Sequence, residues 1–274
     1  MQPINYFSEF FNSQKLASYI LNIELSKWGI NYSIYDNIRN IFVAIVSKRF
    51  ENINGDILDN FQKSIIDDVY LNKHYKNINF TLCNNNFTIV PDVFFDKNAK
   101  KDILNYCTFS VSDNEEILFS NFDFLATTCI YSYPSKMLSF LINQYPEIRF
   151  YHISYNILSS LKTIEEATKQ KATLIHYFND FLIISAIEKN RLLCFNSYSF
   201  NSEISSTYYV LNHIESFNLK NSQIFLQGDL SSKSEIFSMM KNLNYDVKFR
   251  VLFKDKIEVK EIVPHLIAPI LNNF

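Results

Sequence analysis

The clearest pattern of apolar and polar positions lies between Ala172 and Phe200. One apolar run ends at Asn179-Asp180. A second spans Phe181 to Ile187 and breaks at Glu188-Lys189-Asn190, and a third spans Leu192 to Phe200. Short apolar runs bounded by turn residues predict three consecutive strands. Tyr19 to Ile45 follows the same plan, with breaks near Lys27-Trp28-Gly29 and at Asp36-Asn37. Aligning Ser33 with Ser185 puts Asp36 on Glu188 and Ile23 on Ile175. The two meanders start about half a chain apart, and this spacing predicts two copies of one unit.

The remaining pattern fills in around them. Residues 1–16 read as an irregular lead-in. Between Gly55 and His74, the apolar residues Ile57, Leu58, Phe61, Ile65, Ile66, Val69 and Tyr70 recur at three and four, which predicts a helix with one buried face. Asn54 or Asp56 is placed to cap it. Residues 78–82 and 87–90 predict strands on either side of an Asn-rich turn, with Pro91 as the stop. A short helix is expected over 96–106. A strand pair is expected over 116–120 and 122–132, turning at Ser120-Asn121, and a helix from Ser135 to about Gln144. The second half then reads as strand 149–153, helix 155–169 capped by Ser154, the second meander and helix 203–217. Strand 223–226, helix 231–243, strand 246–253 and a terminal helix around Ile262 to Ile270 complete it. No linker or low-complexity segment interrupts the chain. The expected organisation is α/β with mixed sheets, in two halves, 1–146 and 147–274.

Composition narrows the chemistry. The chain has 274 residues and is 47% hydrophobic, with 26 Phe and 17 Tyr, so core size is not limiting. Phe, Ile, Asn and Lys have AT-rich codons, and part of that bias carries no functional signal. The net charge is −2, from 26 basic and 28 acidic residues, with no long-range attraction for nucleic acid or anionic lipid. Cys83, Cys107, Cys129 and Cys194 form no CxxC pair; they read as buried free thiols in a reducing compartment. The start of the chain lacks the pattern of a signal peptide, and no run is apolar enough for a membrane helix. The expected location is the cytoplasm, without membrane insertion. Only three glycines occur, Gly29, Gly55 and Gly228. Most loops that wrap phosphate need glycine, for positive φ and close approach of N–H groups, so this count argues against a nucleotide enzyme.

The repeated meander with helices between further strands resembles the fold of actin, heat-shock ATPases and sugar kinases, a ribonuclease H-like architecture. The segment FTIVPDVFF (87–95), a strand ending in Val-Pro followed by an apolar pair, looks like a bacterial family of uncharacterised proteins, domain-of-unknown-function family 3822. LNIELSKWGINYSIYD (21–36), NRLLCFNSYSF (190–200), the Tyr208-Tyr209 helix and IFLQGD (224–229) extend the resemblance over most of the chain in the family's order. It implies an actin-like ATPase fold of two duplicated mixed-sheet halves and supplies no activity.

Active members of this fold carry Asp-x-Gly in the first hairpin, where Asp organises Mg²⁺ and Gly donates N–H groups to phosphate. The matching residues are Glu24-Leu25-Ser26, so a carboxylate remains and the glycine does not; Gly29 falls three residues late. The second Asp-x-Gly is matched by His176-Tyr177-Phe178, which removes the carboxylate and adds two rings. Asp180 just beyond is either hairpin-turn chemistry or a displaced metal ligand. The adenosine motif is reduced to Gln227-Gly228-Asp229, where Gly228 either keeps the motif's position or makes a strand-to-helix turn. Glu24, Ser26, His176, Asp180 and Gly228 are therefore the degenerate nucleotide-cleft positions. No other catalytic motif and no metal signature is present.

The expected function is a non-catalytic protein that binds an unidentified protein partner, with no cofactor. The alternative is an ATP-binding protein, ATPase or small-molecule kinase with an atypical Mg-ATP site using Glu24 and Asp180. A third reading is a small-ligand pocket lined by His176, Tyr177 and Phe178.

Overall fold

The computed structural model describes residues 4–108 and 111–250, and both expected meanders form. The first part contains β1 (Ile4–Phe7), β2 (Ile20–Ser26), β3 (Gly29–Asp36), β4 (Ile41–Arg49), α1 (Ile57–Asp67) and β5 (Asn77–Cys83). β6 (Phe87–Pro91), α2 (Lys100–Thr108), β7 (Glu115–Phe122) and β8 (Thr127–Pro134) follow, then α3 (Ser135–Gln144), β9 (Ile148–His152) and α4 (Ile153–Thr168). The last part contains β10 (Ala172–Tyr177), β11 (Phe181–Glu188), β12 (Arg191–Ser199), α5 (Glu203–Ser216), β13 (Gln223–Gly228), α6 (Glu235–Asn242) and β14 (Val247–Phe249).

The first sheet has the order β1-β4-β3-β2-β5-β9 and the second β12-β11-β10-β13-β14. Without β1 the two orders correspond strand for strand: an antiparallel meander, then two strands added parallel to its first strand. The correspondence reaches single residues. The β3–β4 ladder shifts register between Ile34 and Tyr35, and the β11–β12 ladder shifts between Ala186 and Ile187. These are the positions that the Ser33–Ser185 alignment superposes. Both serines are fully buried, and both accept or donate a hydrogen bond at the same partner position. Asn22 Nδ2 donates to Ser33 Oγ, and Ser185 Oγ donates to the Leu174 carbonyl.

Alternation along β10 explains the layers. Leu174 belongs to one core with α4 residues Ile157 and Leu161 and with the first sheet, whereas Ile175 and Tyr177 face a second core with Val210 and Ile214 of α5 and Met240 of α6. Helix α4 touches strands of both sheets, so the halves share one continuous apolar layer. β6, β8 and β7 form a separate antiparallel sheet covered by α2 through Leu104, Ile117 and Ile130.

Several elements differ from the sequence expectation. The lead-in contains β1, which pairs with β4 and packs Ile4 and Tyr6 on Tyr35, Phe42 and Ile45. The strand expected to open the second half is β9, which pairs with β5 in the first sheet. Helix α1 is capped by Asp56, whose carboxylate accepts from the Leu58 and Asp59 amides, and it ends at Asp67. Asp68 leaves the helix and accepts from Lys48 Nζ, Tyr32 Oη and the Tyr70 amide, leaving Ile66 and Val69 exposed. The β7–β8 turn lies at residues 123–126, with Ala126 left-handed, and α4 is capped by His152. Cys83, Cys129 and Cys194 are buried as expected, but Cys107 is exposed. The expected terminal helix and the end of strand 246–253 fall outside the described residues. No helix among the described residues is long and apolar enough to cross a membrane.

Candidate functional site

The two degenerate hairpins meet tip to tip. At the first tip, Ser26 is used up by the turn: its hydroxyl accepts from the Trp28 amide at 3.2 Å and donates to the Gly29 carbonyl at 3.3 Å. Gly29 is required by the neighbouring strand, because a Cβ there would lie 2.3 Å from the Lys48 carbonyl oxygen. At the second tip, Asp180 accepts from Trp28 Nε1 at 3.0 Å and is ion-paired with Lys27 Nζ. Trp28 and Asp180 are 152 positions apart, the offset that relates Ser33 to Ser185. The contact therefore joins equivalent turn positions of the two copies, as contacts on a two-fold axis do. A second bridge runs from Arg49 Nη2 to Asp229 Oδ2 at 3.4 Å.

Glu24 lies behind this junction, buried on β2. Its Oε1 accepts from Asn31 Nδ2 at 2.9 Å, while Oε2 is buried without a hydrogen-bond partner. Burial pushes its carboxyl up to about 7, against the Asn31 hydrogen bond and with help from the charge of Asp229. The space between Ser26, Gly29, Asn31, Arg49 and Asp229 is a cavity of about 40 Å³, enough for roughly one water molecule.

His176 occupies the position equivalent to Glu24 in the second copy. Its register partner is Gln227, and the Arg250 amide bonds the Leu226 carbonyl one residue before it. Arg250 Nη1 faces Gln227 Oε1 at 3.4 Å, and Gln227 Nε2 faces His176 Nδ1 at 2.8 Å. A guanidinium only donates, so the amide oxygen faces Arg250 and the amide nitrogen donates to Nδ1. The imidazole proton therefore sits on Nε2. Burial, then the positive charge of Arg250, pulls His176 down to about 3 and keeps it neutral. Phe178 stacks on Phe181 across the base of the second hairpin, with centroids 4.2 Å apart. Gly228 has φ +89, and its amide pairing leads straight into Asp229, whose N–H donates to the Tyr177 carbonyl at 2.9 Å.

The arrangement thus brings Glu24, Ser26 and Asp180 around one junction, with His176 and Gly228 on the adjoining strand ends. Asp180, expected as turn residue or displaced metal ligand, has both oxygens engaged by Trp28 and Lys27. No group of three His, Cys, Asp or Glu among the described residues is arranged to hold a metal ion. Residues missed from sequence were Trp28, Arg49, Asn31 and Arg250. Of these only Trp28 lies in a turn that the sequence pattern marks, Lys27-Trp28-Gly29.

Comparison with known proteins bears on the fold. A crystal structure of a Bacteroides thetaiotaomicron protein with an actin-like ATPase fold and unknown function superposes with TM-score 0.79 at 22% identity, covering 88% of this chain and 94% of that one. A type IV pilus biogenesis complex of PilM and PilN superposes with TM-score 0.63 at 8% identity, covering 92% and 95%. Among curated proteins none matches the chain. The fold is actin-like. The family model described as protein of unknown function (DUF3822) matches residues 8–246, a span that begins just after β1, takes in both meanders, both hairpin tips, β13 and α6, and ends just before β14. The chain belongs to that family.

Proposed function

We propose that this protein acts by binding a protein partner and does not turn over nucleotide. The observation that carries this reading is the junction itself: the two loops that would hold phosphate from opposite sides are joined to each other by Trp28 and Lys27, and Arg49 ties the first sheet to Asp229 of the reduced adenosine motif. A triphosphate would have to part all three contacts, enlarge a 40 Å³ cavity and do so without a glycine cradle. Asp180 is committed elsewhere, and Glu24 is buried behind the junction with Oε1 held by Asn31 and its ionisation opposed by burial, so neither stands open to a hydrated cation. A melt with millimolar Mg·ATP tests this directly. A ligand at a hundred times its Kd adds about 2.7 kcal/mol to stability. The expected result is an unchanged Tm, and a rise of several degrees overturns the proposal.

The partner-binding part is supported by the small sheet. Asp92 N donates to the Ala126 carbonyl at 3.0 Å, tying the turn after β6 to the turn after β7. Val93 and Phe94 stand 86% and 75% exposed there, beside the partly exposed Phe124. Adjacent large apolar side chains this open mark interaction sites. Asp92, Asp96 and Asp123 surround them, with no ion pair to any of the three among the described residues. The surface fits a partner segment with apolar side chains flanked by Lys or Arg. Phe94→Asp is expected to leave stability within about 0.5 kcal/mol and to abolish retention of the partner in a side-by-side pull-down. Equal retention by both proteins removes the assignment.

A further inference from the structure

On one face of the first sheet, Tyr35, Phe42 and Ile45 form a small core of their own, joined by Ile4, Tyr6 and Ile20. Phe42 is 1% exposed and Ile45 0%. Yet all six residues of this cluster come from β1, β2, β3 and β4, strands of a single sheet. A sheet does not seal its own face, and burial this complete needs a second layer.

The second copy shows what that layer is. Under the Ser33–Ser185 alignment, Ile20 and Tyr35 superpose on Ala172 and Ile187. Their ladder partners then put Phe42 on Leu192 and Ile45 on Phe195. Ala172, Ile187 and Phe195 lie in the core that α4 enters with Ile157 and Leu161, and Leu192 packs against it. Helix α4 runs over β10 and β11 of the second sheet and also touches β5 and β9 of the first. It follows directly on β9, the last strand of the first copy.

The equivalent strand in the second copy is β14. Ile148 opposes Ile78, Val247 opposes Ile224, and Ile78 and Ile224 occupy the same register on their meanders. α4 starts at Ile153, five residues beyond Ile148. Five residues beyond Val247 is Leu252. The described residues thus end, at Arg250, two positions before the place where a second α4 would begin. The sequence continues over residues 251–274, longer than the 16 residues of α4. This stretch carries Ile262, Val263, Leu266, Ile267 and Ile270, an apolar stripe at spacings of three and four. Residues 1–3 and 109–110 are too short to cover the face.

We propose that residues 251–274 dock on this face of the first sheet, over Ile20, Tyr35, Phe42 and Ile45, as the two-fold mate of α4. The stripe from Ile262 to Ile270 supplies the missing layer. α4 leaves the first sheet and covers the second. The 251–274 segment leaves the second sheet and covers the first, so each half lends the other its inner cover. The proposal is independent of the partner-binding reading and of the nucleotide cleft.

Tyr6 offers a probe at the rim of the face. Its hydroxyl is buried without a hydrogen-bond partner, so an azide in the same place breaks no bond. In the full chain, p-azidophenylalanine replaces Tyr6 in one variant, Tyr35 in a second and the exposed Tyr106 of α2 in a control. Each variant is illuminated, digested and read by mass spectrometry. The first two are expected to cross-link to peptides within 251–274 in the monomer band, and the control is not. Cross-links confined to β1–β4 or α4 overturn the proposal. So do cross-links to 251–274 found only in a dimer band, which would make a second copy the source of the cover. The wild-type chain gives a test without any substitution. Carbene footprinting is expected to label residues 262–270 severalfold less than Ile66 and Val69, which stand exposed at the end of α1. Equal labelling overturns the proposal.

Discussion

Gly228→Ala is expected to destabilise the protein by about 3 kcal/mol, a large share of the 5–15 kcal/mol that holds a typical domain folded. Two costs combine. At φ +89 an L-residue is strained by about 1–2 kcal/mol. A Cβ built on this backbone would also lie 2.1 Å from the Tyr177 carbonyl oxygen and 3.0 Å from His176 Nε2. The carbonyl cannot swing away, because it is held by the Asp229 amide, so the β10–β13 ladder must open at its end. Backbone shifts of this kind cost about 1–3 kcal/mol. The check is a urea midpoint for the variant, with the slope confirming an unchanged unfolding transition. A loss below about 1 kcal/mol would mean that the turn relaxes freely and that Gly228 is not required by the geometry. The same result bears on the choice that the sequence left open at Gly228. The strand-to-helix turn demands glycine whether or not a nucleotide was ever bound beside it, so the presence of Gly228 argues for neither.

The duplication was legible in the chain because strand patterning is local and because the same order of apolar runs and turn residues recurs at one offset. Ser33 and Ser185, read as an alignment anchor, also superpose the paired register shifts of the two ladders. Other features depend on neighbours far away in sequence. Nothing within Ile4–Phe7 marks a strand: β1 exists because β4 presents an open edge and Tyr35 and Phe42 offer an apolar face. α1 stops at Asp67 because Asp68 finds Lys48 and Tyr32 on the first sheet, against a helical apolar period that continues past it. β9 sits among second-half residues in the pattern, yet its pairing is with β5 across an intervening sheet and helix. The candidate site shows the same division. Loss of the glycines was visible residue by residue. That the emptied hairpins close on one another was not, because Trp28 and Asp180 lie 152 positions apart, and neither position is unusual by itself.

Glu24 gives the second large effect, and its sign is opposite to that of most carboxylates. An ordinary carboxyl loses its proton near 4.5, while that of Glu24 is raised to about 7 by burial. Between those values the folded protein holds a proton that the unfolded chain has released. Stability therefore is greatest below pH 4.5 as far as this group is concerned, and falls as pH rises through 7. Over that interval, at about 1.4 kcal/mol per pH unit, the loss amounts to about 3 kcal/mol. Glu24→Gln removes the titration and keeps an oxygen for Asn31 Nδ2 to donate to. Its amide nitrogen replaces the protonated Oε2, which has no partner either. Wild type and variant are thus expected to have similar urea midpoints at pH 5, and the variant to be ahead by about 3 kcal/mol at pH 8. The separation between the two curves, measured every half unit, isolates Glu24 from the other titrating groups. Curves that run parallel would show that Glu24 ionises like a solvated carboxylate, with water reaching it through the junction. That outcome would remove the closed-cleft argument and return Glu24 to consideration as the residue that organises a hydrated cation. Curves that separate above pH 5 instead show a Glu24 that is neutral and hydrogen-bonded below pH 7 and whose ionisation above it lowers the stability of the fold.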